Sequence, residues 1–374
     1  MNLDAFGLIF TGDNNEKLKE LTISRSIAAV PFGGRYRCID FILSDLVNSG
    51  IRNVGLIMQK NYHSLMDHLG SGKEWDLNRK RDGLFILPPF LTKNNTGVYR
   101  GQIDAFHSVM PYIRRSAQKY VILCNSHVIF NTTFYEMMRY HQEKEADITI
   151  MYHRDEHFDL QDQYRDLRLL MDETGRITEI ERDPYKPRTD ARSCEVIIMD
   201  KKLLEDLVEE AYASGYADFT RDILQSNCNK LRMYGWQYNG YVARLDSVNT
   251  FFRHSMELLE ADAAGDLHNR EHPIYTKVKD ELSAKYGPEA KVHNAVLADG
   301  CNIEGCVENS ILFRGVTVGK GAVVKNCVLM QGCHVEEGAK LDHVIMDKNV
   351  VVRADRTLAG FDGFPIVLRK NQIL

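Results

Sequence analysis

Three short segments recur at a fixed step near the end of this 374-residue chain. They are Asn309-Ser310-Ile311-Leu312, Asn326-Cys327-Val328-Leu329 and His343-Val344-Ile345-Met346, each 17 residues after the last. A second register keeps the same step, from Val318-Gly319-Lys320-Gly321-Ala322-Val323 to Val335-Glu336-Glu337-Gly338-Ala339-Lys340 and on to Val352. An aliphatic residue about every six positions, with glycine and small residues between, marks hexapeptide turns, and three such turns make a coil of about 18 residues. The repeat therefore predicts a left-handed parallel β-helix, with about four coils over residues 292–355, inside a C-terminal domain 291–374. A histidine base is what an acyl-transfer site in such a domain would need; His334 and His343 read instead as exposed turn residues.

Residues 1–255 have a different texture. Short β-branched runs (Asn53-Val54-Gly55-Leu56-Ile57, Tyr120-Val121-Ile122-Leu123-Cys124, Ile148-Thr149-Ile150-Met151) alternate with amphipathic stretches, and Ile39, Leu43, Leu46 and Val47 fall at helical spacing. Alternating strands and helices predict an α/β domain, Rossmann-like, with a mostly parallel sheet covered on both faces. Such sheets bind ligands beyond the carboxyl ends of their strands, where Gly12 and Asn125-Ser126-His127 would lie. Residues 256–290 are polar and interrupted by Gly265, Pro273, Gly287 and Pro288, as in a partly helical connector.

A net charge of −5 and pI of about 6.2 leave no broad basic field, which argues against nucleic acid or an anionic membrane as partner. No run approaches the roughly 20 apolar residues of a membrane span, and a cytoplasmic protein is expected. The eight cysteines are scattered without a C-x-x-C pair, so they read as small core residues rather than a zinc site or disulfide framework.

The first strand-like run, Ala5 to Phe10, leads into Gly12-Asp13-Asn14-Asn15-Glu16-Lys17-Leu18. Nucleotide-binding domains place several glycines at such a turn, because only bare backbone can approach phosphates closely. Here one glycine remains, and Asp13 and Glu16 would oppose a triphosphate.

Further segments carry a resemblance. Phe32-Gly33-Gly34-Arg35-Tyr36-Arg37-Cys38-Ile39-Asp40-Phe41-Ile42-Leu43-Ser44, Asn48-Ser49-Gly50-Ile51, Tyr99-Arg100-Gly101-Gln102-Ile103-Asp104-Ala105 and Asp218-Phe219-Thr220-Arg221-Asp222 resemble motifs of the glucose-1-phosphate adenylyltransferases, or ADP-glucose pyrophosphorylases. The resemblance spans nearly the whole chain. It implies a fold that brings ATP and glucose 1-phosphate together, with magnesium, lysine and arginine compensating phosphate charge.

Against that family's pattern the chain departs at phosphate and metal contacts. Asp13 and Asn15 stand where loop glycines belong, and Lys17 replaces the loop arginine. Ile27 replaces a phosphate-facing lysine. The magnesium aspartates correspond to Ser126 and Arg244; a shift of two residues along a strand would let Asp246 substitute for one of them on the same face. Asp183 replaces the lysine that holds the sugar phosphate, reversing a charge interaction of about 4 kcal/mol at ~4 Å and an effective dielectric of ~20. Framework motifs persist while the chemistry is released, which resembles the non-catalytic, regulatory type of subunit in this family.

The resemblance then implies a catalytic homologue as partner in bacterial glycogen synthesis, in a heterotetramer, with magnesium bound by the partner and no cofactor in this chain. A small-molecule effector is a further expected partner. Gly12, Gln59, Tyr99, Arg100, Gly101 and Asp222 are candidates for a remnant nucleotide or effector pocket, while Gly33, Gly34 and Gly50 read as turn and packing residues. Two alternatives are a divergent active enzyme using Asp246, Lys17 and Arg182, and a homo-oligomeric sugar-phosphate or nucleotide sensor.

Overall fold

A computed structural model describes residues 3–12, 18–89, 99–155 and 166–374. The loop positions Asp13, Asn15 and Lys17 lie outside the described residues.

The apolar runs form the centre of a sheet. Strands Ala5–Phe10 (β1), Asn53–Ile57 (β2), Gly83–Leu87 (β3) and Tyr120–Asn125 (β4) are parallel, in the order β4-β1-β2-β3, and β1 and β2 are buried along their whole length. Alternation along β1 feeds two cores: Phe6, Leu8 and Phe10 pack with Tyr112, Ile113 and Val208 on one face, while Ala5 and Ile9 meet Ile39, Leu43 and Leu46 on the other. Gly7 makes this second packing possible, since a Cβ there would lie 2.7 Å from a Leu46 methyl. The helix Cys38–Asn48 is buried on nearly every side, including Asp40 and Asp45. Asp40 accepts hydrogen bonds from the Arg37 backbone (2.9 Å) and the Thr276 hydroxyl (2.6 Å).

Beyond β4 the sheet continues as a wing that is largely antiparallel. Ile148–Arg154 (β5), Leu167–Met171 (β6), Ile177–Arg182 (β7), Ala191–Asp200 (β8) and Met233–Gln237 (β9) complete nine strands among the described residues. Strand β8 runs antiparallel to β4, β5 and β6, β6 and β7 pair antiparallel, and β9 runs parallel to β5.

After helices Val248–Glu257 and Ala261–Leu267 the chain enters the parallel β-helix. One ladder stacks Lys285–Tyr286, Asn302–Ile303, Thr317–Val318, His334–Val335 and Val351–Val352. A second runs from Lys291 through Cys306, Val323 and Lys340 to Thr357, and a third from Val296 through Ile311, Val328 and Ile345 to Val367. The first ladder has five rungs, starting before the repeat read from sequence, because the outer rung Lys285–Tyr286 is exposed and does not carry the apolar signature. The recurring Asn309, Asn326 and His343 sit at corners with φ of 44°, 49° and 50°. Asn and His are among the side chains that tolerate this left-handed region best, which explains why one register of the repeat begins with them.

The third ladder docks on the α/β domain. Ile311, Phe313, Val328, Met330 and Ile345 form one core with Leu21, Ile27, Phe32, Phe41, Phe251 and Leu258. A buried ion pair crosses this junction, Arg25 Nη2 lying 2.7 Å from both carboxylate oxygens of Asp347. All eight cysteines are free, and seven are buried. No helix among the described residues is long and apolar enough to cross a membrane.

Candidate functional site

The sheet brings the chemistry-bearing positions to the carboxyl ends of β1 and β4. Gly12 follows β1 and packs on Gln59, whose Cδ would lie 2.4 Å from a Cβ at position 12. Gln59 Nε2 is buried and has no hydrogen-bond partner among the described residues.

Beside it lies a buried charge cluster. Strand Ala243–Arg244 pairs antiparallel with Val128–Ile129, and the Leu245 amide donates to the His127 carbonyl, so residues 126–128 and 244–246 share one floor. Ser126 is 1% exposed, and its hydroxyl has no hydrogen-bond partner among the described residues. Arg244 Nη1 lies 3.0 Å from Glu195 Oε1, its Nη2 donates to the Ser193 carbonyl, and its Nε is 3.8 Å from Asp246. Asp246 also faces Arg192 at 3.4 Å and His127 at 3.5 Å, and His127 is 3.3 Å from Glu195. Asn125 donates to Glu195 as well. Farther out Arg192 reaches Asp155 (3.0 Å) and Asp166 (2.7 Å), and Arg168 pairs with Asp166 at 2.9 Å. Burial works against the Arg244 charge, but Asp246 and Glu195 override it and hold the guanidinium protonated. Burial also pushes the Asp246 carboxyl above the usual aspartate range, while Arg244, His127 and Arg192 draw it back.

This arrangement does not fit a magnesium ion. Hard divalent cations take oxygen ligands, chiefly carboxylates. One expected aspartate is the neutral Ser126, the other is a guanidinium, and Asp246 is engaged by two arginines and a histidine. Among the described residues no group of three or more His, Cys, Asp or Glu side chains is placed to hold a metal ion.

A cavity of about 280 Å³ opens next to the cluster, walled by Arg100, Gly101, Arg182, Glu195, Asp218 and Arg221 among others. Its guanidinium groups are already paired: Arg100 with Asp104 (2.7 Å), Arg182 with Asp218, and Arg221 with Asp222 (2.7 Å). Gly101 is required by close approach, since a Cβ would meet the Ala217 carbonyl oxygen at 2.2 Å. Tyr99 is 5% exposed and belongs to the core, where its hydroxyl accepts from Ser108. Asp222 holds a turn: its carboxylate accepts from the Ala217 and Asp218 amides, and with Arg221 beside it its pKa falls to about 2.

Two more expected contact positions are spent on structure. Ile27 is 1% exposed in the interdomain core. Asp183 has φ of 47°, and its carboxylate accepts the Asp166 amide at 2.9 Å. Arg182, which could have replaced the missing lysine, is tied to Asp218 and lies 3.5 Å from Asp183.

A second pocket, of about 500 Å³, lies at the domain junction. Arg35, Arg37, Lys277, Lys279, Arg314, Lys348 and Lys370 line it against a single carboxylate, Asp67, among the described residues. Burial and the nearby Arg37 and Arg25 lower the Lys348 pKa to about 7. Sequence reading missed this pocket, although its signal is present: Arg314, Gln331 and Lys348 follow the 17-residue step and so stack on one edge of the β-helix.

An α/β domain whose ligand site lies at the carboxyl ends of parallel strands, joined through an apolar junction to a hexapeptide β-helix, defines a nucleotidyltransferase-type protein. Comparison with known families agrees. Residues 6–237 match the nucleotidyl transferase family and residues 281–363 the GlmU-like C-terminal hexapeptide family. The chain is 38% identical over 372 residues to the glycogen biosynthesis protein GlgD of Bacillus subtilis, covering 100% of this chain and 97% of that protein. Identity to the GlgD protein of Geobacillus stearothermophilus is 40% over 328 residues, covering 87% and 84%. A glucose-1-phosphate adenylyltransferase of Clostridium botulinum is 31% identical over 380 residues, covering 100% and 96%. The chain belongs to the nucleotidyl transferase family, in its group of glucose-1-phosphate adenylyltransferases and GlgD proteins.

Proposed function

We propose that this chain is a regulatory, catalytically silent subunit of ADP-glucose pyrophosphorylase in bacterial glycogen synthesis. It pairs with a catalytic homologue in a heterotetramer, and the homologue makes ADP-glucose from ATP and glucose 1-phosphate with its own magnesium. One observation carries the reading: the side chains at the expected contact positions Ile27, Ser126, Asp183 and Arg244 are buried or bonded into the chain's own structure. A sugar phosphate entering the adjacent cavity would meet guanidinium groups whose charge is already offset by Asp104, Asp218 and Asp222, and would face Glu195. The relationship to GlgD proteins, named for glycogen biosynthesis, supports the pathway.

The basic pocket at the domain junction is the better place for an effector, and its excess of cations suits a small anionic molecule. The test titrates this chain into its catalytic homologue and follows the homologue's kcat and KM for ATP and glucose 1-phosphate. A saturable change, with co-elution of the two chains, is expected; unchanged kinetics with separate elution would refute the regulatory role.

A further inference from the structure

We propose that the Arg244 guanidinium is a resident cation that replaces a divalent metal ion, so that Glu195 and Asp246 are held by the chain itself and this centre binds neither magnesium nor manganese. The inference deepens the silent-subunit reading and rests on it; the family pattern is what places a metal at this position.

Two carboxylates converge at this point, Glu195 from β8 and Asp246 from the segment after the Ala243–Arg244 strand. Buried and unpartnered, they would repel each other and call for a cation. Arg244 meets that demand from within, at 3.0 Å from Glu195 and 3.8 Å from Asp246, and is only 5% exposed. Its Nη2 bond to the Ser193 carbonyl fixes the planar group in place, so the charge is delivered at a set position as a bound ion would be. Arg192 completes the neutralisation of Asp246 at 3.4 Å. A divalent ion would then arrive beside two fixed guanidinium groups, both on Asp246 Oδ2; Asp246 Oδ1, buried 3.5 Å from His127, accepts no hydrogen bond among the described residues and offers an ion one carboxylate oxygen where two carboxylates are needed. Unlike a metal, the arginine cannot be released, so the floor of the cleft keeps one geometry whether or not nucleotide and magnesium are present around it.

Manganese binding to the full chain tests this, read by electron paramagnetic resonance of free Mn²⁺. The wild type is expected to bind no Mn²⁺ at this centre at millimolar concentration. Arg244→Asn, which removes the charge and leaves an oxygen ligand, is expected to gain a site at least tenfold tighter than anything in the wild type, and Arg244→Asn/Asp246→Asn to lose it. Wild-type Mn²⁺ binding that disappears in Asp246→Asn would overturn the inference, as would a folded Arg244→Asn chain with no gain. The wild-type titration decides the matter even where Arg244→Asn does not fold. Kinetics of the catalytic homologue mixed with the wild-type chain read the regulatory role separately, so either idea can fail alone.

Discussion

Lys348 is a charge that the fold holds at a cost, and removing it should stabilise the protein in a pH-dependent way. Burial, together with Arg37, Arg25 and Lys279, lowers its pKa from 10.5 to about 7, against the pull of Asp347. Below about pH 7 both the native and the unfolded chain keep the proton, and the native state bears the full penalty. As pH rises toward 10.5 the native chain has shed the proton while the unfolded chain retains it, so the penalty fades. A displacement of this size corresponds to about 5 kcal/mol at most, and we expect about 2–4 kcal/mol because water in the open pocket screens part of the repulsion. Lys348→Met keeps the length of the side chain and removes the charge. In urea unfolding, the variant should exceed the wild type by this amount near pH 6 and by much less near pH 9. An anion that occupies the pocket, such as inorganic phosphate, should narrow the gap near pH 6 by stabilising the wild type more than the variant. A variant less stable than the wild type near pH 6, or a gain equal at both pH values, would refute the reasoning.

Three other outcomes follow from the same structure. Asp347→Ala leaves Arg25 buried without its carboxylate and should cost about 3–5 kcal/mol, most of it recovered in Arg25→Met/Asp347→Leu; urea unfolding of the two variants beside the wild type measures both. At the β-helix corner, Asn326→Val places a β-branched side chain at φ of 49° and should lower stability by about 1–3 kcal/mol, whereas Asn326→Gly should be tolerated, as thermal unfolding of the two variants will show. Restoring glycines in Asp13→Gly/Asn15→Gly should yield no ADP-glucose in a coupled pyrophosphate assay without partner, because Ser126, Asp183 and Arg244 remain.

Much of the fold was legible because local sequence and final environment agree. Runs such as 54–57 are buried on both faces and so are continuously apolar, and the β-helix repeats because each rung faces the same neighbours. The antiparallel wing was not legible: Leu167–Met171 and Ile177–Arg182 mix charged and apolar residues, with β7 exposing Thr178 and Glu179. For the site, sequence offered candidate positions but not what surrounds them. That Ser126, Asp183 and Arg244 depart from a family pattern can be read in one dimension. That Arg244 meets Glu195, 49 residues away, or that Arg192 joins Asp155, Asp166 and Asp246, depends on how β8 crosses beside β4 and β5. The basic pocket was hidden for the same reason, since its cations come from the Gly33–Arg37 turn, the connector and the β-helix.

The central claim is that the fold has kept its frame and given up the transfer chemistry. The most direct measurement is ADP-glucose formation by the purified chain alone, supplied with ATP, glucose 1-phosphate and magnesium. We predict no turnover above background, and activity that appears only when the catalytic homologue is added. Magnesium-dependent synthesis by the chain alone, abolished in Asp246→Asn, would contradict the account.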